Sequence, residues 1–422
     1  MHTETETVIY PEDRLPLGQT LVAGFQHVVA MFGGTVLCPL LIGFDPNTTI
    51  FFSGIATLLF FVIVRGHVPS YLGSSFSFIA AIIAVTGYSG MGANPNIPLA
   101  LGGIIACGAI YAVIGLIVVV TGTGWIEKLM PPVLTGAIVA VIGLNLAPVA
   151  VHDISGSSFD TLFGLLTVLL VAMSAVFLPK FLGRLPILIG GSIAWCVYYV
   201  LCNLGNLGKA IDFAPVAKAA WFGLPHFTSP QFQPSAMILM APVAIVLVAE
   251  NLGHVRAIGA MTGKSLDLHL GWAFTGDGIA TMLAGAFGGT GVTTYAENMG
   301  VMAITKNFSS TTFVAAGLFA VAFGLSPKFG AAISTLPGPL IGGLSLVVFG
   351  LIAATAGRIW VENKVDFTQP RNLIVVGTAV IIGAGDLNLK IGSFSFGGIA
   401  LGTFAAIGLY HLLSIKARKD GA

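Results

Sequence analysis

One stretch constrains this chain more than any other. Gly288 to Lys306, GGTGVTTYAENMGVMAITK, lies among apolar segments yet is too short to cross a membrane. Its helical part, Tyr295 to Thr305, rises ~1.5 Å per residue and reaches about halfway through a bilayer core. Ahead of it, Val292-Thr293-Thr294 is β-branched and follows Gly288, Gly289 and Gly291, so an extended strand is predicted to lead into a half-helix. Such a junction leaves backbone N–H groups unpaired at the helix start. At membrane depth they are tolerated only where they face protein, water or a ligand. Glu297 sits beside them, and an ionisable residue there is a functional-site hypothesis. The stretch is expected to form half of a binding site.

The surroundings make the membrane reading firm. Of 422 residues, 56% are hydrophobic and 8% charged, with a mean hydropathy of +0.95, which places the chain among polytopic helical membrane proteins, in contact with lipid. Its 55 glycines and 21 prolines suit close-packed and broken membrane helices. A net charge of +1 implies neither an acidic partner nor nucleic acid. Cys38, Cys107, Cys196 and Cys202 all lie in apolar spans, as small buried hydrophobes without metal-ligand spacing. No metal or cofactor is expected. The first fourteen residues are polar and acidic, so the first apolar span is expected to direct insertion without a cleavable signal peptide.

Apolar stretches fall at 16–42, 49–64, 76–87, 98–121, 131–151, 159–179, 185–204, 236–255, 271–287, 295–305, 308–330, 337–356, 371–384 and 396–415, fourteen segments with the third and tenth short. With both ends cytoplasmic, only Lys209, Lys218, Lys328 and Lys390 of the 18 Lys and Arg residues fall outside, which favours that orientation in a cytoplasmic (inner) membrane. Residues 206–235 form the longest external connection and separate two halves that repeat. Gly54-Ile55-Ala56-Thr57-Leu58-Leu59 is answered 224 residues later by Gly278-Ile279-Ala280-Thr281-Met282-Leu283. The same offset carries Tyr71 onto Tyr295 and Gln26 onto Glu250; further on, Pro132 and Gly136 match Pro339 and Gly343 at an offset of 207. Seven segments per half is odd, so the second copy enters from the opposite side. The fold predicted is all-α and polytopic, with 7+7 inverted repeats and short strands, Val68–Ser74 and Gly291–Tyr295, meeting where segments three and ten break. Inverted repeats with interrupted segments at equivalent places are the pattern of a secondary transporter.

Few acidic residues lie inside the apolar spans. Glu250 follows the run Met237 to Ala249, about 20 Å along its helix. Loss of hydration there favours the neutral, protonated form, making Glu250 a candidate proton carrier. His254, four residues on, shares its helical face and is placed to share or relay that proton. Glu297 stands at a helix start, where the dipole favours the ionised form. One neutral and one ionised carboxylate on crossing segments can bind paired N–H groups of a planar ligand, with free amides near Ala296 and Phe76 taking its carbonyls. That alternation of donors and acceptors suits a nucleobase. Gln26 and His27 occupy the repeat positions of Glu250 and Asn251, as hydrogen-bonding groups for the core or the ligand. Asp277 reads as a solvated end-cap near the start of the ninth segment, and the Phe76 ring is placed to stack on a ligand. No nucleophile–base set or metal cluster speaks for an enzyme.

Glu297-Asn298-Met299-Gly300 followed by Thr305-Lys306 resembles the signature of the nucleobase–ascorbate transporters, also called nucleobase/cation symporters. Gln26-His27 is similar to their first-helix Gln-His pair, and Ala249-Glu250-Asn251-Leu252-Gly253-His254 to their eighth-helix motif. Tyr71-Leu72-Gly73-Ser74-Ser75-Phe76 and Thr293-Thr294-Tyr295 resemble the bacterial uracil-permease branch and, within it, the permease of a pyrimidine-degradation pathway. The resemblance implies a core domain at 14–122 and 236–331, a gate domain at 123–205 and 332–415, and cytoplasmic tails at 1–13 and 416–422. It implies that Glu250 and Glu297 bind the base through side chains and Phe76 and Ala296 through backbone amides, with Phe76 and Tyr295 packed around the ring. Ser75 and Asn298 then give supporting hydrogen bonds, together with Gln26 and His27. Ala296 replaces a glycine of the uracil permease, and Phe349 a tyrosine, so a hydroxyl contact from the gate is missing. The expected function is proton-coupled import of uracil, with tolerance for thymine or related pyrimidines, by alternating access in a homodimer joined through the gate. The alternatives are a xanthine or uric acid permease of the same family and an SLC26-like anion transporter.

Overall fold

The computed structural model of the chain describes residues 8–88, 90, 92–179, 182–391 and 394–419. Fourteen segments follow one another. The first seven are Leu17–Ile42, Pro46–Ile63, strand β1 (Leu72–Ser74) with the helix Phe76–Thr86, Ile97–Thr121, Pro132–Ile154, Ser158–Phe177 and Pro186–Leu204. The second seven are Pro234–Thr262, Leu270–Phe287, strand β2 (Val292–Thr294) with the helix Ala296–Thr305, Ser310–Gly324 with Pro327–Ile333, Gly338–Glu362, Pro370–Ala384 and Gly398–Lys419. Among the described residues, eight helices are long and apolar enough to cross a membrane, or nine counting the bent pair of the eleventh segment as one. The others are shorter, broken or more polar. Proline fixes many of the starts: Pro46, Pro132, Pro186, Pro234 and Pro370 each open a helix. There the missing N–H is one that the helix would leave unpaired anyway.

The predicted strands form and pair. β1 lies antiparallel to β2 with Leu72 opposite Thr294, Gly73 opposite Thr293 and Ser74 opposite Val292. Flanking bonds extend the pairing at both ends, from Tyr295 N–H to Tyr71 O at 3.1 Å and from Ser75 N–H to Gly291 O at 2.9 Å. Non-helical chain therefore survives at depth by satisfying its own backbone.

The repeat is confirmed with one shift of register. Pro46–Ile63 and Leu270–Phe287 start and end 224 residues apart, whereas β1 and β2 lie 220 apart. The turn between helix and strand is four residues longer in the first half, so Tyr71 answers to Gly291 rather than to Tyr295, and Ser75 answers to Tyr295. Both halves then carry the same clasp. Thr57 Oγ1 accepts the Leu72 N–H at 3.0 Å and donates to Leu72 O at 3.3 Å. Thr281 Oγ1 accepts the Val292 N–H at 3.2 Å and donates to Val292 O at 3.1 Å. Thr281 is Thr57 plus 224 and Val292 is Leu72 plus 220.

Segments one to four pack with eight to eleven, and five to seven with twelve to fourteen. Small residues bring backbones together in the first group: a Cβ on Gly54 would lie 2.5 Å from Gly317 O, and one on Gly108 would lie 2.7 Å from Gly278 O. The eleventh segment departs from the continuous span expected at 308–330. It turns by 85° between Ser310–Gly324 and Pro327–Ile333, because Pro327 excludes Ser326 from helical geometry (φ −111°, ψ 95°). A second antiparallel pair, Leu389–Ile391 with Phe394–Phe396, precedes the last helix. The N-terminal stretch from Val8 onward is docked: Ile9 N–H donates to Lys306 O at 2.9 Å, and Phe308 N–H to Ile9 O at 2.8 Å. The rest of the expected tails, residues 1–7 and 420–422, lies outside the described residues.

Candidate substrate site

β1 and β2 each end where a half-helix begins, so the two helix starts meet head to head. Ser75 caps the first, its Oγ accepting the Ser77 N–H at 3.3 Å, and its O accepts the Phe78 N–H at 3.3 Å. Tyr295 occupies the cap position of the second but gives no side-chain cap. Among the described residues no acceptor takes the N–H of Phe76 or of Ala296. At the 220-residue spacing these two residues are repeat equivalents. Ala296 is exposed and Phe76 half-buried, so the pair of free donors borders open space.

The carboxylates flank this pair. Glu250 is the eighth residue of the helix Val243–Thr262 in segment eight, half-buried, and Ser77 Oγ donates to its Oε2 at 3.4 Å. Glu297, also half-buried, directly follows Ala296 in the first turn of the second half-helix. Ser77 was not singled out in the sequence. The corrected register finds it, because Ser77 plus 220 is Glu297. Across from them, the Phe349 ring of segment twelve meets the Phe76 ring edge-on, centroids 6.1 Å apart and planes at 84°.

The remaining residues stand behind this row. Tyr295 is buried, its hydroxyl donating to Ser74 O at 2.8 Å and lying 3.3 Å from Thr35 Oγ1, with its ring against Gly34 and Gly73. Asn298 Nδ2 donates to His27 O at 3.0 Å and lies 3.0 Å from His27 Nδ1, while His27 packs on Phe313 with centroids 4.5 Å apart. That ties segment ten to segment one. Gln26 is half-buried and shows no side-chain hydrogen bond to a described residue. His254 Nδ1 lies 2.9 Å from Thr294 Oγ1, so its partner is on β2 rather than Glu250.

Asp277 departs from the sequence reading. It is fully buried in the body of Leu270–Phe287 instead of capping its end. Its Oδ2 accepts from Asn251 Nδ2 at 2.7 Å and from the Tyr111 hydroxyl at 3.4 Å. Tyr111 in turn accepts from Asn251 Nδ2 at 2.9 Å, and Thr294 Oγ1 reaches Asn251 Oδ1 at 3.4 Å. A buried polar network thus runs from segment four through eight and nine to β2, one residue behind Glu250. Tyr111 carries no sequence signal beyond being a polar group in an apolar span, whereas Thr294 belongs to the β-branched stretch and to the Thr293-Thr294-Tyr295 motif.

Comparison with known proteins agrees with this architecture. A model of a permease family, Xan_ur_permease, matches residues 18–391. The chain is 57% identical over 415 residues to the Escherichia coli (strain K12) protein named "Putative pyrimidine permease RutG", covering 98% of this chain and 94% of that one. It is 37% identical over 426 residues to a uracil permease of the same organism, covering 97% and 96%. A uracil permease of Bacillus subtilis (strain 168) is 35% identical over 419 residues, covering 94% and 93%. Among solved structures, the transmembrane domain of the cyanobacterial bicarbonate transporter BicA aligns with a TM-score of 0.64 at 16% identity, over 93% of this chain and 97% of that one. SLC26A9 aligns with a TM-score of 0.67 at 14% identity; the match covers 94% of this chain and spans 65% of that one. These two likenesses are of fold, the same 7+7 arrangement. The protein is a multi-pass membrane permease and not an enzyme, and it belongs to the nucleobase–ascorbate transporter family.

Proposed function

We propose that this permease is a proton-coupled symporter that imports uracil, with tolerance for thymine or related pyrimidines, across a cytoplasmic membrane. One observation carries the reading: two repeat-related helix starts, at Phe76 and Ala296, offer free backbone N–H groups between the half-buried carboxylates Glu250 and Glu297. Uracil presents ring N–H donors and carbonyl acceptors in alternation around one edge. Two carboxyl groups accept from the donors, and two amides donate to the carbonyls. Relatives named as uracil and pyrimidine permeases support the same substrate class.

Uracil is neutral at pH 7, so accumulation needs a co-transported ion. Glu250 is the proton carrier in this proposal, with His254 and Glu297 as its neighbours in the relay. Segments 14–122 and 236–331 act as the core that holds the site, and 123–205 with 332–415 as the gate against which it moves. The Phe76–Phe349 ring contact is where core and gate meet beside the base. Both termini lie in the cytoplasm, and two copies join through their gate segments. An anion-transporting role fits poorly, since two carboxylates at the site repel an anionic substrate.

The test is uptake of labelled uracil and of labelled xanthine into vesicles, with and without an imposed proton gradient. Uracil accumulating only with the gradient supports the reading. Xanthine accumulating in preference to uracil moves the chain to the purine-transporting relatives, and gradient-independent accumulation removes proton coupling.

A further inference from the structure

A second concave place on the molecule shares no lining residue with β1, β2 or the half-helix starts. The docked N-terminal stretch, the turn after the second segment, the turn before the ninth and the start of the eleventh enclose a cleft of about 580 Å³. Small-molecule sites commonly measure ~300–1,000 Å³. Five of its lining side chains are basic, namely Arg14, Arg65, Lys264, His67 and His269, and only Glu12 is acidic. Glu12 is already engaged by Lys264, whose ammonium also sits 4.2 Å above the Tyr10 ring. Among the described residues, Arg14 and Arg65 have no carboxylate within ion-pair distance. His67 and His269 stack with centroids 4.4 Å apart and planes at 13°. Three chain stretches thus bring basic groups, and the start of the eleventh segment two hydroxyls, Ser310 and Thr311, to one concave surface whose single acidic group among the described residues is already engaged.

We propose that this cleft binds a phosphate-bearing anion. Guanidinium groups grip phosphate oxygens in pairs, and the concave wall lets groups from separate stretches reach one anion. Because the lining comes from four separate parts of the chain, a bound anion would tie the N-terminal stretch to segments two, nine and eleven. Two sources share this chemistry: a soluble phosphate compound, or the headgroup of an anionic lipid at the membrane surface.

The experiment uses the full-length chain, purified and stripped of lipid in a neutral detergent. Inorganic phosphate is titrated at constant ionic strength against sodium chloride, with the thermal midpoint and the heat of binding as readouts. In parallel, the chain is placed in nanodiscs of phosphatidylcholine with or without phosphatidylglycerol. A saturable rise in midpoint is expected in at least one arm. The detergent arm identifies a soluble ligand, and a response confined to phosphatidylglycerol identifies a lipid headgroup. The double variant Arg14→Gln/Arg65→Gln should lose about tenfold or more in affinity, since it removes two charge-assisted contacts. Glu12→Gln should bind more tightly than the native chain, because it frees Lys264 and deletes the one acidic group of the described lining. Both variants change exposed side chains, and an unaltered midpoint without phosphate shows that they are folded. The proposal is overturned if native and double variant respond alike, if chloride reproduces the effect, if neither arm responds, or if Glu12→Gln binds more weakly.

Discussion

Thr281→Val should harm this protein more than Thr57→Val, although the two threonines are repeat equivalents in the same role. Between the flanking bonds of Tyr71–Tyr295 and Ser75–Gly291, strand alternation turns the backbone groups of Leu72 and Val292 away from the partner strand. The threonines receive them. In Thr281→Val both Val292 N–H and Val292 O lose the hydroxyl, 3.2 and 3.1 Å away, that satisfies them. In Thr57→Val only the Leu72 N–H is orphaned, because Leu72 O keeps the Ser53 hydroxyl at 2.5 Å. An unsatisfied buried group costs about 1–3 kcal/mol. The expected losses are therefore about 2–6 kcal/mol for Thr281→Val and about 1–3 kcal/mol for Thr57→Val. Denaturation of the purified chain in detergent, followed by tryptophan fluorescence, measures both. Uracil affinity should fall further in Thr281→Val, since β2 sets the position of Ala296. Equal losses, or a larger one for Thr57→Val, would refute the clasp as the device that holds the strands at depth.

Three further outcomes follow from the geometry. Glu250→Gln should abolish pH-driven accumulation of uracil in vesicles while keeping some binding, since an amide imitates the protonated acid but releases no proton; vesicles that still concentrate uracil would shift the role to His254 or Glu297. Gly73→Ala should lower the thermal midpoint and uracil binding together, because its Cβ would fall 2.5 Å from Cζ of the buried Tyr295 ring, and a variant with native binding would contradict that packing. In the short helix Gly124–Leu129, between the fourth and fifth segments, a hydrogen bond from Arg256 holds the Glu127 carboxyl below its ordinary value of 4.5. Its contribution to stability is thus present above that value and lost as the pH falls through the lower folded value. The pair is exposed, so the contribution is below about 1 kcal/mol, and Glu127→Gln should flatten the acid limb of the midpoint-versus-pH curve by no more than that.

The fourteen segments were legible because hydropathy and proline mark helix starts directly, and the broken pair because β-branched residues beside glycines cannot continue a helix. The repeat was legible at Gly54 and Gly278, where small residues are forced by the close approach of Gly317 and Gly108. It misled at Tyr71, since matching aromatic residues hid a turn longer by four residues. Sequence spacing cannot count such a turn without the strand register that fixes it. Asp277 was misplaced for a different reason. Its solvation depends on Tyr111 and Asn251, which reach it from two other segments, and no local pattern announces partners so distant in sequence. The bend at Ser326-Pro327 did have a local signal in the proline, masked by the apolar run around it.

The central claim, that a uracil-like base is held between the two half-helix starts by Glu297 and Glu250, is tested most directly by labelled-uracil binding to the native chain and to Glu297→Gln. A carboxylate only accepts hydrogen bonds, whereas an amide also donates. The substitution turns an NH₂ toward a ring N–H unless the amide flips, and it removes a charge-assisted bond that contributes roughly 1.5–3 kcal/mol. Uracil affinity should therefore fall about tenfold to a hundredfold, with xanthine a weak competitor against the native chain. An unchanged uracil isotherm in Glu297→Gln, or xanthine displacing uracil from the native chain, would contradict the account.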